Sequence, residues 1–376
     1  MKISTVDLYR YELPLTAPLQ LGASTVAHRR GGLLRIRTEQ GATGWGDAAP
    51  LPGFSSESLA DVIAHARAVV PRWIGTELAG PGADRTRFWQ ALPLGGDAPP
   101  SFCFATESAR VDLFAATRGL SVPEGLEALR SDEENGAPSA PRPTVGLNAL
   151  ITNLLEEGPE QARQCRERGY RAVKVKVGRA PLDREVDALR RVRAELGAAI
   201  ALRADANRAW SVGEAVAFAE ATRELDVAYV EEPLASPSRL AELAAQTDLP
   251  IALDETTREA GPEVLRDGPP VRAVVLKPTL LGLREAQAWS RAATAQGSLP
   301  VLSASYESGV GLRMLVALAA VGPDVPVGLS TYDRLATDVL QPPLPMEGPT
   351  IDVAPVVDPR GAIDADRLDR LDAFSA

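Results

Sequence analysis

The sequence predicts an α/β protein: a (β/α)8-type (TIM-like) barrel carrying a smaller α+β capping domain. Three observations point there. Short apolar runs recur at regular intervals after Pro143: TVGLNALI, AVKVKVG, ALRADAN, VAYVEEP, IALDET, AVVLKPT, PVLSASYE and DVPVGLST. Amphipathic segments of helical length, rich in Ala, Glu and Arg, lie between them, which is the alternation of a parallel α/β fold. An eightfold count favours a closed barrel over an open sheet. No glycine-rich dinucleotide fingerprint or P-loop follows the early runs, so an open nucleotide-binding sheet is disfavoured.

The elements outside this repeat read differently. Residues 1–130 begin with strand-like runs, KISTVDLYRYEL and GGLLRIRTEQ, and continue with helical stretches near Ser56–Trp73 and Phe104–Ala116. Strands followed by helices suggest a separate α+β unit, expected to be the cap. The polar, Pro-, Gly- and Ser-rich stretch RSDEENGAPSAPRP (130–143) is expected to be a boundary loop. The barrel is expected over 143–335. The tail, 340–376, is Pro-rich and then charged, and is expected to return to the cap.

Composition narrows the chemistry. The chain has 376 residues, 45% of them apolar, and a formal net charge of -10. A surface of that sign repels phosphate backbones, so nucleic acid is excluded as a partner, whereas a local Lys/Arg cluster still suits a small anionic substrate. The N-terminal stretch has no apolar signal-like core and no run is long enough to span a bilayer, so a cytoplasmic protein with no membrane partner is expected. Cys103 and Cys165 show no zinc or disulfide spacing. His28 and His65 are the only histidines. Acid–base work therefore falls to carboxylates and lysines.

These groups are ordered along the repeat. Lys176, Asp205, Glu231, Asp254 and Lys277 end the second to sixth runs, 29, 26, 23 and 23 residues apart, about one βα unit each. Strand ends of such a barrel converge on one mouth, where active sites form. Alternation puts Lys174 and Lys176 on one face and Val173, Val175 and Val177 on the other. Both faces of a parallel barrel strand are covered, so the valines should meet helices and the lysines the interior. Buried ammonium groups need opposite charge, which Asp205, Glu231 and Asp254 supply. Three neighbouring carboxylates in turn call for a hard cation, Mg2+ with Mn2+ as the alternative. Singly, K-x-K, D-x-N or E-E-P is an ordinary strand end or turn. Their occurrence in order at successive strand ends carries the inference.

Several longer stretches add a resemblance. GWGDAAPLPGFSSESL (Gly44–Leu59), LRADANRAW (Leu202–Trp210), LKPTLLG (Leu276–Gly282), SASYESGVGL (Ser303–Leu312) and PVGLSTYDRL (Pro326–Leu335) resemble the enolase superfamily. The subgroup is the muconate-lactonizing-like one, and within it the closest likeness is to the o-succinylbenzoate synthase family. The resemblance implies Mg2+ on Asp205, Glu231 and Asp254. Glu231 is preferred to Glu232 because the family's ligand is the glutamate two before the proline. It implies Lys176 as the base, Lys174 as local positive charge favouring unprotonated Lys176, and Lys277 as the cation facing the developing anion. Ser303 and Ser305 become candidates for a second substrate carboxylate, with Arg203, Asn207 and Gly328 in supporting positions and the loop Leu19–Val26 closing over the site. The implied reaction is syn-dehydration of 2-succinyl-6-hydroxy-2,4-cyclohexadiene-1-carboxylate to 2-succinylbenzoate, a step of menaquinone biosynthesis. A dipeptide epimerase, N-acylamino-acid racemase or cycloisomerase would share the metal and both lysines. The stretch GLSTYDRL lacks the Asp-x-Asp pair usual in dipeptide epimerases. Leu281-Gly282-Leu283 stands where many subgroup members carry adjacent glycines. A non-catalytic binding protein on this fold is the remaining alternative.

Overall fold

A computed structural model describes residues 1–21, 24–78, 85–130, 140–358 and 362–375 of the chain. The chain opens with β1 (Ile3–Leu21), β2 (Ser24–Thr38) and β3 (Thr43–Ala48). After the cap helices come β4 (Thr144–Gly146) and β5 (Ala149–Ile151). The repeat continues through β6 (Ala172–Lys176), β7 (Ala201–Asp205), β8 (Val227–Glu231), β9 (Ile251–Leu253), β10 (Ala273–Leu276) and β11 (Leu299–Leu302). The tail contributes β12 (Leu340–Gln341), β13 (Thr350–Asp352), β14 (Ala362–Ile363) and β15 (Leu368–Ser375).

The cap is an antiparallel sheet in the order β15-β1-β2-β3. The helix Pro100–Arg118 lies against β3, and glycine makes that approach geometrically possible. A β-carbon at Gly44 would sit 2.0 Å from the Ala109 carbonyl oxygen, and one at Gly46 would sit 1.8 Å from that of Ala105. β15 pairs with β1, so the end of the tail does return to the cap. Earlier in the tail, however, β13 pairs antiparallel with β4 and ties the barrel's first run instead.

Seven parallel strands, in the order β5 to β11, form the barrel wall. Val173, Val175 and Val177 are buried in the layer between strands and helices, as alternation predicts. The helix Leu182–Leu196 meets that layer with Val186, Leu189, Val192 and Leu196, three or four residues apart, and turns Asp183, Arg184, Asp187, Arg190 and Arg191 outward. Two of the eight expected runs differ from simple strands. The first splits at Leu147–Asn148, because its first half pairs with β13 and its second half with β6. The eighth is too short to be a strand, yet it closes the barrel. Val327 accepts from the Asn148 amide and donates to the Gly146 carbonyl (both 2.9 Å), while Gly328 donates to Leu302 (2.8 Å) and accepts from Ala304 (2.9 Å). Of the expected boundary loop, residues 131–139 lie outside the described residues, as do 22 and 23 of the expected closing loop. No helix among the described residues is long and apolar enough to cross a membrane.

Cap and barrel meet at a buried carboxylate. Asp47, at the end of β3, accepts from the Tyr11 hydroxyl (2.9 Å) and from the amide and hydroxyl of Ser308 (2.9 and 2.8 Å), the N-cap of helix Gly309–Val321. Burial pushes its pKa from 3.8 up to about 6, against the opposing pull of these hydrogen bonds. The folded protein therefore retains a proton that the unfolded chain has released. Stability falls as pH rises through the window from about 4 to about 6, and the full cost, about 3 kcal/mol, is present above it. Asp47→Asn should remove this slope. Chemical denaturation of both proteins from pH 4 to 7 measures it, and parallel curves would refute it.

Candidate active site

Strand order sets the geometry. Lys176 ends β6 and Lys277 follows β10, and the three strands between them end in Asp205, Glu231 and, just past β9, Asp254. In a curved wall this puts the two lysines on opposite sides of three carboxylates. The pairing register brings Lys176 opposite Asp205, and Asp205 opposite Glu231. All three carboxylates are at most 3% exposed.

Each carboxylate shares one oxygen with an ammonium group. Lys176 Nζ donates to Asp205 Oδ2 at 2.6 Å, Lys174 Nζ to Glu231 Oε2 at 3.0 Å, and Lys277 Nζ to Asp254 Oδ2. Lys174 Nζ also lies 3.4 Å from the Asp205 oxygen that Lys176 contacts. Lys176 is held a second time, by Asn207 Oδ1 at 2.6 Å, and the Asn207 amide donates to Asp205 Oδ1 at 3.1 Å. Burial pulls the Lys174 pKa down, but the charges of Glu231, Asp205 and Asp254 outweigh it and hold Lys174 above the usual lysine range. Burial alone would raise Asp205; the charges of Lys174 and Lys176 bring it down to about 2. Glu231 goes the other way, to about 7. Its burial is the largest cause, Lys174 opposes, and Asp205 and Asp254 add to the rise.

The structure supplies the acidic donor set that the expected metal site needs, but not an assembled metal site. Among the described residues no three ligand-type side chains are gathered closely enough to hold an ion as they stand. The lysine pairings account for that, since each takes an oxygen that an ion would use. The donor set still fits a hard divalent cation: three buried carboxylates and no nitrogen or sulfur ligand.

The supporting residues divide. Gly328 leaves room beside the seventh strand end, since a β-carbon there would lie 3.1 Å from Ser303 Oγ and 3.6 Å from Asn148 Oδ1. Ser303 makes a long contact, 3.4 Å, to the Gly328 carbonyl. Ser305 is buried and its hydroxyl has no partner among the described residues. Arg203, expected in a supporting position, makes no hydrogen bond or ion pair with Asp205, Glu231 or Asp254 among the described residues. It shares the interior face with Asp205 but sits one layer down, donating to Asn148 Oδ1 (3.1 Å) and the Pro326 carbonyl (2.8 Å), with its guanidinium 5.2 Å from the Tyr229 ring. It makes no ion pair among the described residues and helps close the barrel between the first and eighth runs.

Sequence reasoning did not single out the groups that fix the loops around the site. Glu232 points away from the mouth. Its carboxylate accepts from the amides of Asp254 (2.9 Å) and Thr256 (2.8 Å), the Thr256 hydroxyl and Arg208 Nε (both 3.1 Å). The carboxylate next to Glu231 thus orients the backbone that carries Asp254. Glu185 does the same beyond β6, accepting from the amides of Gly178, Arg179 and Ala180. The sequence signal for Glu232 was the doubled glutamate, which alternation assigns to opposite faces.

Comparison with known proteins agrees with this architecture. A family profile described as "Enolase C-terminal domain-like" matches residues 158–358, and one described as "MenC, N-terminal domain" matches residues 3–83. The chain is 31% identical over 341 residues to an o-succinylbenzoate synthase of Pectobacterium atrosepticum, covering 89% of this chain and 93% of that protein. Among solved structures, the L-Ala-D/L-Glu epimerase of Bacillus subtilis is similar with a TM-score of 0.77 and 25% identity, over 94% of this chain and 96% of that one. A dipeptide epimerase of Cytophaga hutchinsonii, solved with Mg and a dipeptide, shares the fold at a TM-score of 0.77 and 20% identity, over 100% of both chains.

Glu232→Ala removes four hydrogen bonds from the backbone and side chains that carry Asp254. Loss of such an orienting group lowers metal affinity about 10- to 100-fold. Calorimetric titration of Mg2+ into the variant should show that loss, and wild-type affinity would refute the role.

Proposed function

This chain belongs to the o-succinylbenzoate synthase family of the enolase superfamily and is a lyase; from that premise we propose that it dehydrates 2-succinyl-6-hydroxy-2,4-cyclohexadiene-1-carboxylate to 2-succinylbenzoate, a step of menaquinone biosynthesis. The observation that carries the reading is the placement of Lys176 and Lys277 on opposite sides of three buried carboxylates. The likeness to o-succinylbenzoate synthases over most of the chain supports the choice of substrate.

Asp205, Glu231 and Asp254 would hold Mg2+. Bound there, it would supply positive charge to offset the negative charge that builds on the ring carboxylate. Lys176, unprotonated, takes the proton on the carbon next to that carboxylate. Asp205 and Asn207 keep its Nζ at one point, 2.6 Å from each. Lys277, paired with Asp254, faces the developing negative charge from the far side. Lys176, now an ammonium, returns its proton to the hydroxyl leaving from the same face, and the ring becomes aromatic. Ser303, Asn148 and the space at Gly328 suit the succinyl carboxylate. The substrate is thus a small dianion, drawn to a lysine-lined mouth on an otherwise acidic protein.

Two lysines facing each other also suit epimerisation, as in the Bacillus subtilis neighbour. Ultraviolet absorbance of the cyclohexadiene decides between them. We expect Mg2+-dependent turnover that stops with a chelator. Lys176→Ala should lower turnover by at least about 10²–10⁴-fold while calorimetry still detects Mg2+ binding. Steady epimerisation of a dipeptide or N-succinylamino acid, with the cyclohexadiene untouched, would overturn the assignment.

A further inference from the structure

Arg29, in β2 of the cap, is 1% exposed and makes no hydrogen bond or ion pair with a carboxylate among the described residues. Its guanidinium donates instead to backbone carbonyls: Tyr306 (3.0 Å), Arg30 (3.1 Å), Pro50 (2.7 Å), Ser305 (3.4 Å) and Ala49. Four of these lie in two loops that border the barrel mouth, one after β3 and one after β11. The planar fork of arginine can serve such a set at once; the single ammonium of lysine cannot.

The clamped turn is strained. Tyr306 has φ +63°, a left-handed conformation that side chains with a β-carbon rarely adopt. Its amide is held as well, donating to Thr331 Oγ1 at 3.3 Å. The Tyr306 side chain packs against the apolar pair Leu51 and Leu280, which Leu19, Val26 and Phe54 of the cap also border. Leu280 is three residues past Lys277; burial raises the pKa of the Tyr306 hydroxyl, opposed by the charges of Arg334, Lys277 and Arg29. A flat apolar face therefore stands beside the lysine that faces the substrate.

We propose that Tyr306 is a specificity-determining wall against which the substrate ring packs, and that Arg29 is the positioning residue that holds Tyr306 in its strained turn. This rests on the reading above, in which a conjugated diene ring beside the carboxylate becomes a flat aromatic ring in the product, 2-succinylbenzoate. Aromatic faces pack against such rings in offset stacks.

The test combines calorimetric binding of 2-succinylbenzoate with steady-state kinetics on the wild type, Tyr306→Phe, Tyr306→Ala, Arg29→Lys and the double variant Arg29→Lys/Tyr306→Ala. Tyr306→Phe should keep KM within about threefold, and Tyr306→Ala should raise KM and Kd about tenfold with little change in kcat. Arg29→Lys should raise KM in the same direction, and the double variant should be no worse than Tyr306→Ala alone, since one acts through the other. An unchanged KM in Tyr306→Ala, or effects that multiply in the double variant, would overturn the proposal. Should Arg29→Lys melt below the assay temperature, it is made in a Tyr306→Gly background, where the left-handed turn carries no strain. Recovered folding supports the clamp, and continued failure overturns it. A wild type that binds 2-succinylbenzoate without turning over the cyclohexadiene counts against the reaction and leaves the wall to be judged by Kd; one that binds neither overturns both.

Discussion

The mouth of the barrel holds three lysines and three carboxylates within one wall, each carboxylate sharing an oxygen with an ammonium group. Burying either set alone would cost several kcal/mol per charge. Together they are tolerable, and only because parallel strands in register deliver them to the same depth. Asp205 shows the balance, drawn down to about 2 by two lysines. Glu231 is pushed up to about 7, by its burial first and then by Asp205 and Asp254, against the opposing charge of Lys174. Under the proposed function, a divalent cation would add positive charge beside these buried carboxylates.

Everything around this cluster serves to hold it in place. Below it the interior turns apolar, with Tyr229, Ala252, Ala273 and Val301 packed together and Arg203 closing one side. Beside it, carboxylates that face away from the mouth organise the loops: Glu232 the segment carrying Asp254, and Glu185 the one after Lys176. Four of the five non-glycine residues with positive φ among the described residues, Asn207, Arg208, Glu232 and Tyr306, lie in strand-end loops at this face. Strained backbone of this kind persists where surrounding contacts over-determine it.

The cap contributes at the same face. Asp47 caps the helix after the seventh strand, and Arg29 clamps the carbonyls that precede it. Both are buried at the seam, so cap and barrel share one polar network above a continuous apolar core. A substrate seated at the strand ends is thus bordered by apolar cap side chains, Leu19, Val26, Leu51 and Phe54 among them, while its charged groups meet the barrel.

The sequence by itself determined which face each charge would occupy and in what order the charges would follow around the wall. Alternation with period two is local, so Val173, Lys174, Val175 and Lys176 are sorted before any tertiary contact forms. Spacing of one βα unit then carries Lys176, Asp205, Glu231, Asp254 and Lys277 to neighbouring strand ends. Only the tertiary structure decided how those charges pair, since the distance between a lysine and a carboxylate depends on register and depth across strands. It alone decided that Arg203 turns to Asn148 and Pro326, that Glu232 serves the backbone of Asp254, that β4 pairs with a strand some 200 residues later, and that a barrel with an eighth run too short to be a strand still closes. Each of these depends on partners distant in the chain, whose approach no local pattern encodes.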